Sequence, residues 1–281
     1  MFFTEFRKSA SVEKLFYAAA DGRYYAYWPK SYKKAKETMQ ARNALIGRFS
    51  EGWSANLLRE FAEDKGYYVV QHAICDEIGL SRRSPADVAL CRTKNEKQKA
   101  EDIALIIEVK MSVVWNWELK IEEGRENLVC LGDYETHRGT PGLLRSDTVL
   151  KAAGKSINIR VASPKASRIP IIVLGNTPIR KAYYDKVDFL KTSGVVQGFW
   201  SVNPKPLDRK ESSLKSTSKL GFYRFDTYDE LIKKLNELLR EESEYFSGMK
   251  TRNELGRIIE VANREDSYEK KAQRFLDLIN E

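Results

Sequence analysis

Three side chains could do chemistry together by type and spacing: Asp87, Glu108 and Lys110. Residues 102–114 read DIALIIEVKMSVV, a strand-like run in which successive side chains alternate faces. Ile103, Leu105, Ile107 and Val109 then point one way, and Ala104, Ile106, Glu108 and Lys110 the other. A carboxylate and an ammonium at the end of an otherwise apolar strand are costly to desolvate unless they act together. Asp87 opens the preceding run, ADVALCR at 86–92, just after Ser84-Pro85-Ala86. Paired as a hairpin, the two strands lay Asp87 against Glu108 across the ladder. Two carboxylates that close repel, a divalent cation relieves the repulsion, and hard oxygen donors suit Mg²⁺ or Mn²⁺. The competing reading is a structural Glu108–Lys110 ion pair at a sheet edge, with Asp87 a turn residue. Glu118-Leu119-Lys120 shows that E-x-K also occurs elsewhere in the chain. The apolar lead-in, the upstream Asp and the helix before it favour the functional reading.

The elements that must position these groups are legible in outline. Residues up to about 48 read as helical and basic. Ser50 is a candidate N-cap for a helix that runs through Trp53, Leu57 and Phe61, its expected core stripe, to Gly66. Strand-like runs follow at 67–74, 86–92 and 102–114, rich in Val, Ile and Tyr. The stretch 115–145 is mixed. An amphipathic helix is expected at 146–160, capped by Ser146 or Asp147, then a buried strand at 168–176, a helix at 182–193 and a strand at 195–202. A Pro-, Ser- and Lys-rich loop covers 203–221, and the tail is helical, with Asp226 as a candidate cap. The order helix, three strands, helix, strand, helix, strand predicts an α/β domain with a mixed sheet. The expected organisation is a helical N-terminal extension (1–46), a core (47–202) and a basic loop with C-terminal helices (203–281), together one compact domain.

Composition narrows the chemistry. The chain has 281 residues and a formal net charge of +8, with 42% hydrophobic and 31% charged residues, the profile of a globular protein with a sizeable core. The positive balance suits a polyanionic partner, and equally a solubility charge. Two histidines, His72 and His137, leave no room for His-rich zinc catalysis. His137 reads as a surface or base-contacting loop residue. Three widely spaced cysteines make neither a disulfide framework nor a zinc ribbon. There is no run of about 18 apolar residues and no signal-peptide layout, which predicts a cytoplasmic protein without membrane contact. No G-x-x-x-x-G-K-[ST] stretch is present, so no nucleotide cofactor is expected.

Asp87, Glu108 and Lys110 in this order resemble the PD-(D/E)xK nuclease signature, an Asp at a strand start followed by (D/E)-x-K on the next strand. The helix with Gly47, Glu51 and the closing Gly66-Tyr67 resembles that family's first core helix. The resemblance covers about residues 47–202, and Ala86 stands between Pro85 and Asp87 where the signature sets Pro directly before Asp. It implies a restriction-endonuclease-like αβββαβ core with a mixed central sheet and helical decorations at both ends. It also implies metal-assisted phosphodiester hydrolysis, which needs no histidine. Asp87, Glu108 and the backbone carbonyl of Val109 would hold Mg²⁺, with Mn²⁺ a substitute. Lys110 would orient the attacking water and offset charge, and Glu51 would hold a second metal or a water.

In this fold the helix after the sheet flanks the cleft, so Lys151 and Lys155 are candidate phosphate contacts. Trp115, Asn116 and Trp117 are candidates for the cleft wall, although tryptophans are more often core or interface. The densest basic stretches add Lys33, Lys34, Lys36, Lys210, Lys215 and Lys219. Stand-alone chains of this length in the family are most often type II restriction endonucleases, which cut double-stranded DNA at a short specific sequence. The alternatives are a repair, recombination or transposon-end nuclease of the same fold, or a non-catalytic DNA-binding protein on a nuclease-like core. A symmetric double-strand break is made most simply by a homodimer. Candidate interface residues are Leu231, Leu235, Leu238 and Leu239, then Ile258, Ile259 and Val261, and Phe275, Leu276 and Ile279.

Overall fold

The N-terminal segment departs from the helical expectation. It forms two short helices, α1 (Phe2–Ser9) and α2 (Val12–Leu15), then two-residue strands β1 (Tyr17–Ala18) and β2 (Tyr24–Tyr25). Aromatic residues at 24–28 favour the extended backbone over the helix there. The structure, a computed structural model, describes residues 2–19, 22–30, 40–136, 138–202, 214–240 and 252–280. Lys33, Lys34, Lys36, His137 and Lys210 lie outside the described residues.

Helix α3 (Gln40–Asp64) crosses the boundary expected at residue 47, so extension and core share one element. Ser50 is not its cap: it sits inside the helix and donates its hydroxyl to the Ile46 carbonyl at 2.6 Å. The C-terminal stop is as expected, with Gly66 left-handed at φ 73° and the Tyr67 amide returning to the Ala62 carbonyl at 2.8 Å. The buried stripe is Ala55, Leu58, Phe61 and Ala62, rotated from the expected one. Trp53 packs edge-on against Phe2 of α1, ring centroids 5.4 Å apart. Near the start of α3, buried Arg42 donates to the Leu15 carbonyl at 2.7 Å and to that of Ala26. Its guanidinium lies 4.8 and 5.0 Å from the ring centres of Tyr17 and Tyr27, tying α3 to the N-terminal strands.

The rest of the chain gives β3 (Tyr68–Ala73), β4 (Ala86–Cys91), β5 (Ile103–Lys110), β6 (Asn116–Glu122), β7 (Arg125–Gly132), α4 (Ser146–Ala162), β8 (Ile171–Gly175), α5 (Tyr184–Thr192), β9 (Gly198–Ser201), β10 (Phe222–Arg224), α6 (Tyr228–Arg240), α7 (Arg252–Ala262) and α8 (Tyr268–Asn280). A six-stranded mixed sheet has the order β10-β9-β8-β5-β4-β3. β10, β9, β8 and β5 run parallel, whereas β5, β4 and β3 form an antiparallel meander. Strand β10 follows directly on the stretch read as a loop, in residues to which the sequence reading gave no element. The mixed stretch 115–145 holds the β6–β7 ribbon, which joins β1 and β2 in a second, four-stranded sheet of order β1-β2-β6-β7.

Helices cover both faces of the larger sheet, so its strands are apolar on both sides. Val149, Ala152 and Ile159 of α4 and Val187 of α5 pack on Ala89, Ile106, Ile171 and Val173. Leu58 and Phe61 of α3 and Leu231, Leu235 and Leu238 of α6 pack on Leu90, Leu105, Ile107 and Leu174. These leucines, offered above as an interface, are therefore core, each contributing roughly 1.5–3 kcal/mol by burial. Of the cysteines, Cys75 and Cys91 are buried, and Cys130 is exposed on the ribbon. No helix among the described residues is long and apolar enough to cross a membrane.

Candidate active site

Strands β4 and β5 pair with Val88 opposite Ile107 and Ala89 opposite Ile106. Continuing that register by one residue sets Asp87 opposite Glu108, as the alternation predicts. Both side chains fall on the face covered by α4, with Ala89 and Ile106, while Leu105, Ile107 and Val109 face α3. A register shift between Leu90 and Cys91 breaks the alternation at the start of β5, moving Ile103 to the α4 side.

Two ammoniums bridge the two carboxylates. Lys110 Nζ lies 2.6 Å from Glu108 Oε1 and 3.4 Å from Asp87 Oδ2. Lys155 Nζ, from α4, lies 2.5 Å from Glu108 Oε2 and 3.1 Å from Asp87 Oδ1. Every carboxylate oxygen thus has a cationic partner, and Asp87 Oδ2 also accepts the Val109 amide at 2.8 Å. The Val109 carbonyl accepts Lys110 Nζ at 3.1 Å.

The environments split the two acids. Burial would raise Asp87, but Lys110, Lys155 and the Val109 amide outweigh it and hold the carboxyl below its ordinary range. Burial and then the Asp87 charge push Glu108 above its ordinary range, against the pull of the two lysines. Lys110 would be lowered by burial, yet Glu108 and Asp87 keep it above its ordinary value and protonated.

The loop ahead of α4 is fitted closely to the ends of β5 and β8. Asn176 accepts the Ser112 amide at 3.0 Å and donates to the Ser112 carbonyl at 2.8 Å, clamping the chain just after Lys110. Thr177 Oγ1 accepts the Leu143 amide at 2.8 Å. Gly142, left-handed at φ 52°, has room only for hydrogen: a Cβ would sit 2.8 Å from Thr177 Oγ1 and 3.2 Å from the Lys110 carbonyl. At the far end of α4, buried Arg160 donates to the carbonyls of Gly194, Val195 and Ile169 at 3.1, 3.2 and 2.7 Å, and to that of Ala166. The helix that carries Lys155 is thereby fastened at both ends.

The other expected site residues are distributed differently. Glu51 on α3 is not in the bridged cluster; its contact is His72 Nε2, 3.6 Å from Oε2. Burial and the Asp87 charge raise its carboxyl, so it feels the pair without touching it. His72 is a residue that sequence reasoning passed over. It follows Gln71, paired with Val88, so the register sets it opposite Asp87, but its backbone is left-handed at φ 55°. Among the described residues, no group of three or more His, Cys, Asp or Glu lies close enough to hold a metal ion. What remains for a cation is the Asp87–Glu108 pair, all oxygen donors and already occupied by two positive charges, which fits a hard divalent ion.

Lys151 is exposed and 3.9 Å from Asp147. Lys215 is not a free phosphate contact: its ammonium lies 2.7 Å from Asp226 and 2.6 Å from Glu230. Lys219 sits over the Phe189 ring at 5.4 Å. Trp117 stacks on Phe3 of α1 at 5.3 Å and Asn116 is buried, accepting the Tyr27 amide at 3.1 Å, so both pack against the N-terminal segment. A groove of about 860 Å³ opens at the other end of the strands, between Tyr67, Arg92, Ile103, Lys165 and Arg168, and contains none of the site residues. Comparison with protein-family models, with curated proteins and with solved structures finds no match to this chain.

Proposed function

We propose that the chain is a divalent-metal-dependent nuclease that hydrolyses phosphodiester bonds in double-stranded DNA, working as a type II restriction endonuclease at a short sequence. The observation that carries this reading is the Asp87–Glu108 pair at the end of the β4–β5 hairpin, with Lys110 two residues on and ammonium groups on every carboxylate oxygen. With the β6–β7 ribbon set aside as an insertion between β5 and α4, the elements α3, β3, β4, β5, α4 and β8 support it as well, since they follow the helix–three strands–helix–strand order that the motif resemblance implies.

Asp87 and Glu108 would hold Mg²⁺ or Mn²⁺ from adjacent strands, with the Val109 carbonyl between them. Bound there, the ion supplies Lewis acidity toward a non-bridging phosphate oxygen and a water of lowered pKa. Asp87, kept ionised by its partners, is the firmer of the two ligands. Lys110, kept protonated, would aim a donor at the attacking water and offset the charge that builds on the phosphoryl oxygens. Glu51, raised and half-buried beside the pair, is suited to hold a water rather than the ion.

The test is incubation of the purified protein with a long duplex and Mg²⁺. Discrete fragments are expected, with Asp87→Ala and Lys110→Ala each losing most of the cutting while remaining folded. Cutting only at branched or end structures would select a repair or recombination nuclease. Binding without cutting under Mg²⁺ or Mn²⁺ would overturn the enzymatic reading.

A further inference from the structure

Lys155 reaches the carboxylate pair from a different element than every other member of the cluster. Asp87, Glu108 and Lys110 belong to the sheet, whereas Lys155 extends from α4 across its face. Its Nζ takes one oxygen of each acid, at 3.1 and 2.5 Å, and Lys110 takes the other two. A metal ion held by the same pair takes at least one oxygen from each acid and so competes, by charge and by space, with at least one ammonium. Lys110 is two residues from Glu108 on the same strand, so its ammonium stays beside the pair even when a contact is lost. Lys155 has no such tether. Its side chain is about as exposed as that of Lys110, 18% against 20%, but it lies one helical turn from Lys151, which is 77% exposed. Residues four apart share a helix face, so the way out of the cluster runs toward the Lys151 ammonium, 3.9 Å from Asp147, and a phosphate there would meet two ammoniums.

We propose that Lys155 is a resident counter-cation of the Asp87–Glu108 pair: it neutralises the acids before metal arrives, is displaced by the ion, and then turns its ammonium to a backbone phosphate of the nucleic acid. The proposal rests on the metal-dependent reading above. It has a thermodynamic consequence. Displacing Lys155 opposes metal binding in the free protein, and a nearby phosphate removes part of that opposition, so metal and DNA each tighten the binding of the other by the same factor.

Calorimetric titration of MnCl₂ into the DNA-free protein tests this without any turnover. Lys155→Met removes the competing charge and is expected to bind Mn²⁺ about tenfold more tightly than the wild type, or better. Lys155→Arg keeps the charge in a fork that grips two carboxylates and is expected to bind Mn²⁺ more weakly. A non-cleavable phosphorothioate duplex is expected to raise Mn²⁺ affinity in the wild type, and to raise it less in Lys155→Met. Unchanged or weaker Mn²⁺ binding by Lys155→Met overturns the proposal while leaving the nuclease reading standing. Should a thermal melt show that variant unfolded, the Arg variant decides, and binding as tight as the wild type's overturns it. Absence of Mn²⁺ binding in the wild type and both variants, with the fold intact, overturns the metal reading and this proposal with it.

Discussion

Asp87 and Glu108 are the same functional group a strand apart, yet the fold treats them oppositely. Asp87 accepts a backbone amide and two ammoniums and is stabilised as the anion; Glu108 is more deeply buried and pushed toward the neutral acid. The linkage follows from the directions. A carboxyl lowered in the folded state adds stability above its unfolded value, and this is lost as pH falls through the lowered folded value. A carboxyl raised in the folded state works against folding at neutral pH and is relieved as pH falls. In metal-free buffer at neutral pH, Asp87→Asn is therefore expected to lower the melting temperature, by about 1–3 kcal/mol of stability. Glu108→Gln is expected to leave it unchanged or raise it. Equal losses in the two thermal melts would show that the acids are equivalent. Glu108, whose removal is expected to steady the fold, is placed against the folding energy, as the proposed metal site would require.

At the scale of elements, two contacts decide whether the sheet and its helices hold their places. Asp188 on α5 accepts the Thr217 and Ser218 hydroxyls at 2.5 and 2.9 Å and the Lys219 and Gly221 amides at 3.0 and 2.8 Å, fixing the turn that leads into β10. Burial would raise this carboxyl, but the four donors outweigh it and hold it below its ordinary range. Asp188→Asn turns an acceptor into a donor against two of them and is expected to cost about 2–4 kcal/mol at neutral pH. The gap between wild type and variant should close as pH falls below about 4, the ordinary carboxylate range, toward the lowered folded value. Urea titrations at several pH values measure it. Gly142→Ala puts a methyl against Thr177 and the Lys110 carbonyl at a left-handed position, with an expected loss of about 1–3 kcal/mol. Because it pushes the start of α4 off β5, Mn²⁺ affinity should change along with stability.

How far such elements can be read from sequence depends on whether their signal is local. The period of two in 105–110 and the upstream Asp are local, and they yield the hairpin and its facing acids. Strand β10 is only three residues, Phe222-Tyr223-Arg224, directly after the Ser- and Lys-rich stretch, too short for a period to show, and its pairing with β9 makes it a strand. The helical spacing of Lys151 and Lys155 makes them one cationic stripe. That the second is drawn into the acids depends on α4 crossing the sheet, which no local pattern records. His72 is equally invisible, since nothing in its neighbours encodes a left-handed backbone.

For the whole molecule, the apolar inventory has been partly consumed. Leu231, Leu235 and Leu238 are core, and α7 and α8 keep Ala262 and Ile279 buried, with Ile259 about half exposed at 49%. A second copy meeting this one about a two-fold axis, as a symmetric double-strand cut invites, is left with Ile258, Ile259, Val261, Phe275 and Leu276 as its candidates. Light scattering at micromolar concentration is expected to show a dimer in the presence of duplex. Ile259→Asp is expected to shift it to monomer with an unchanged melting temperature. A dimer that survives the substitution would move the interface elsewhere. Salt dependence of duplex binding belongs to this scale too. With Lys215 committed to Asp226 and Glu230, neutralising Lys33, Lys34 and Lys36 is expected to flatten the slope of affinity against salt more than neutralising Lys215 does.

The three thiols give the molecule a built-in clock. Cys130 stands open on the ribbon, while Cys91 is shut in the sheet with its thiol pushed up to about 12 by burial, and Cys75 is shut in beside it. A maleimide should therefore attach one label within the mixing time and then stall. The second and third labels can arrive only when the layer between sheet and α4 comes apart, so their slow appearance times the opening of the interior. Holding Asp87 and Glu108 with Mn²⁺ should slow those later labels and leave the first untouched, so that reagent mass added per hour becomes a readout of how tightly the centre is closed.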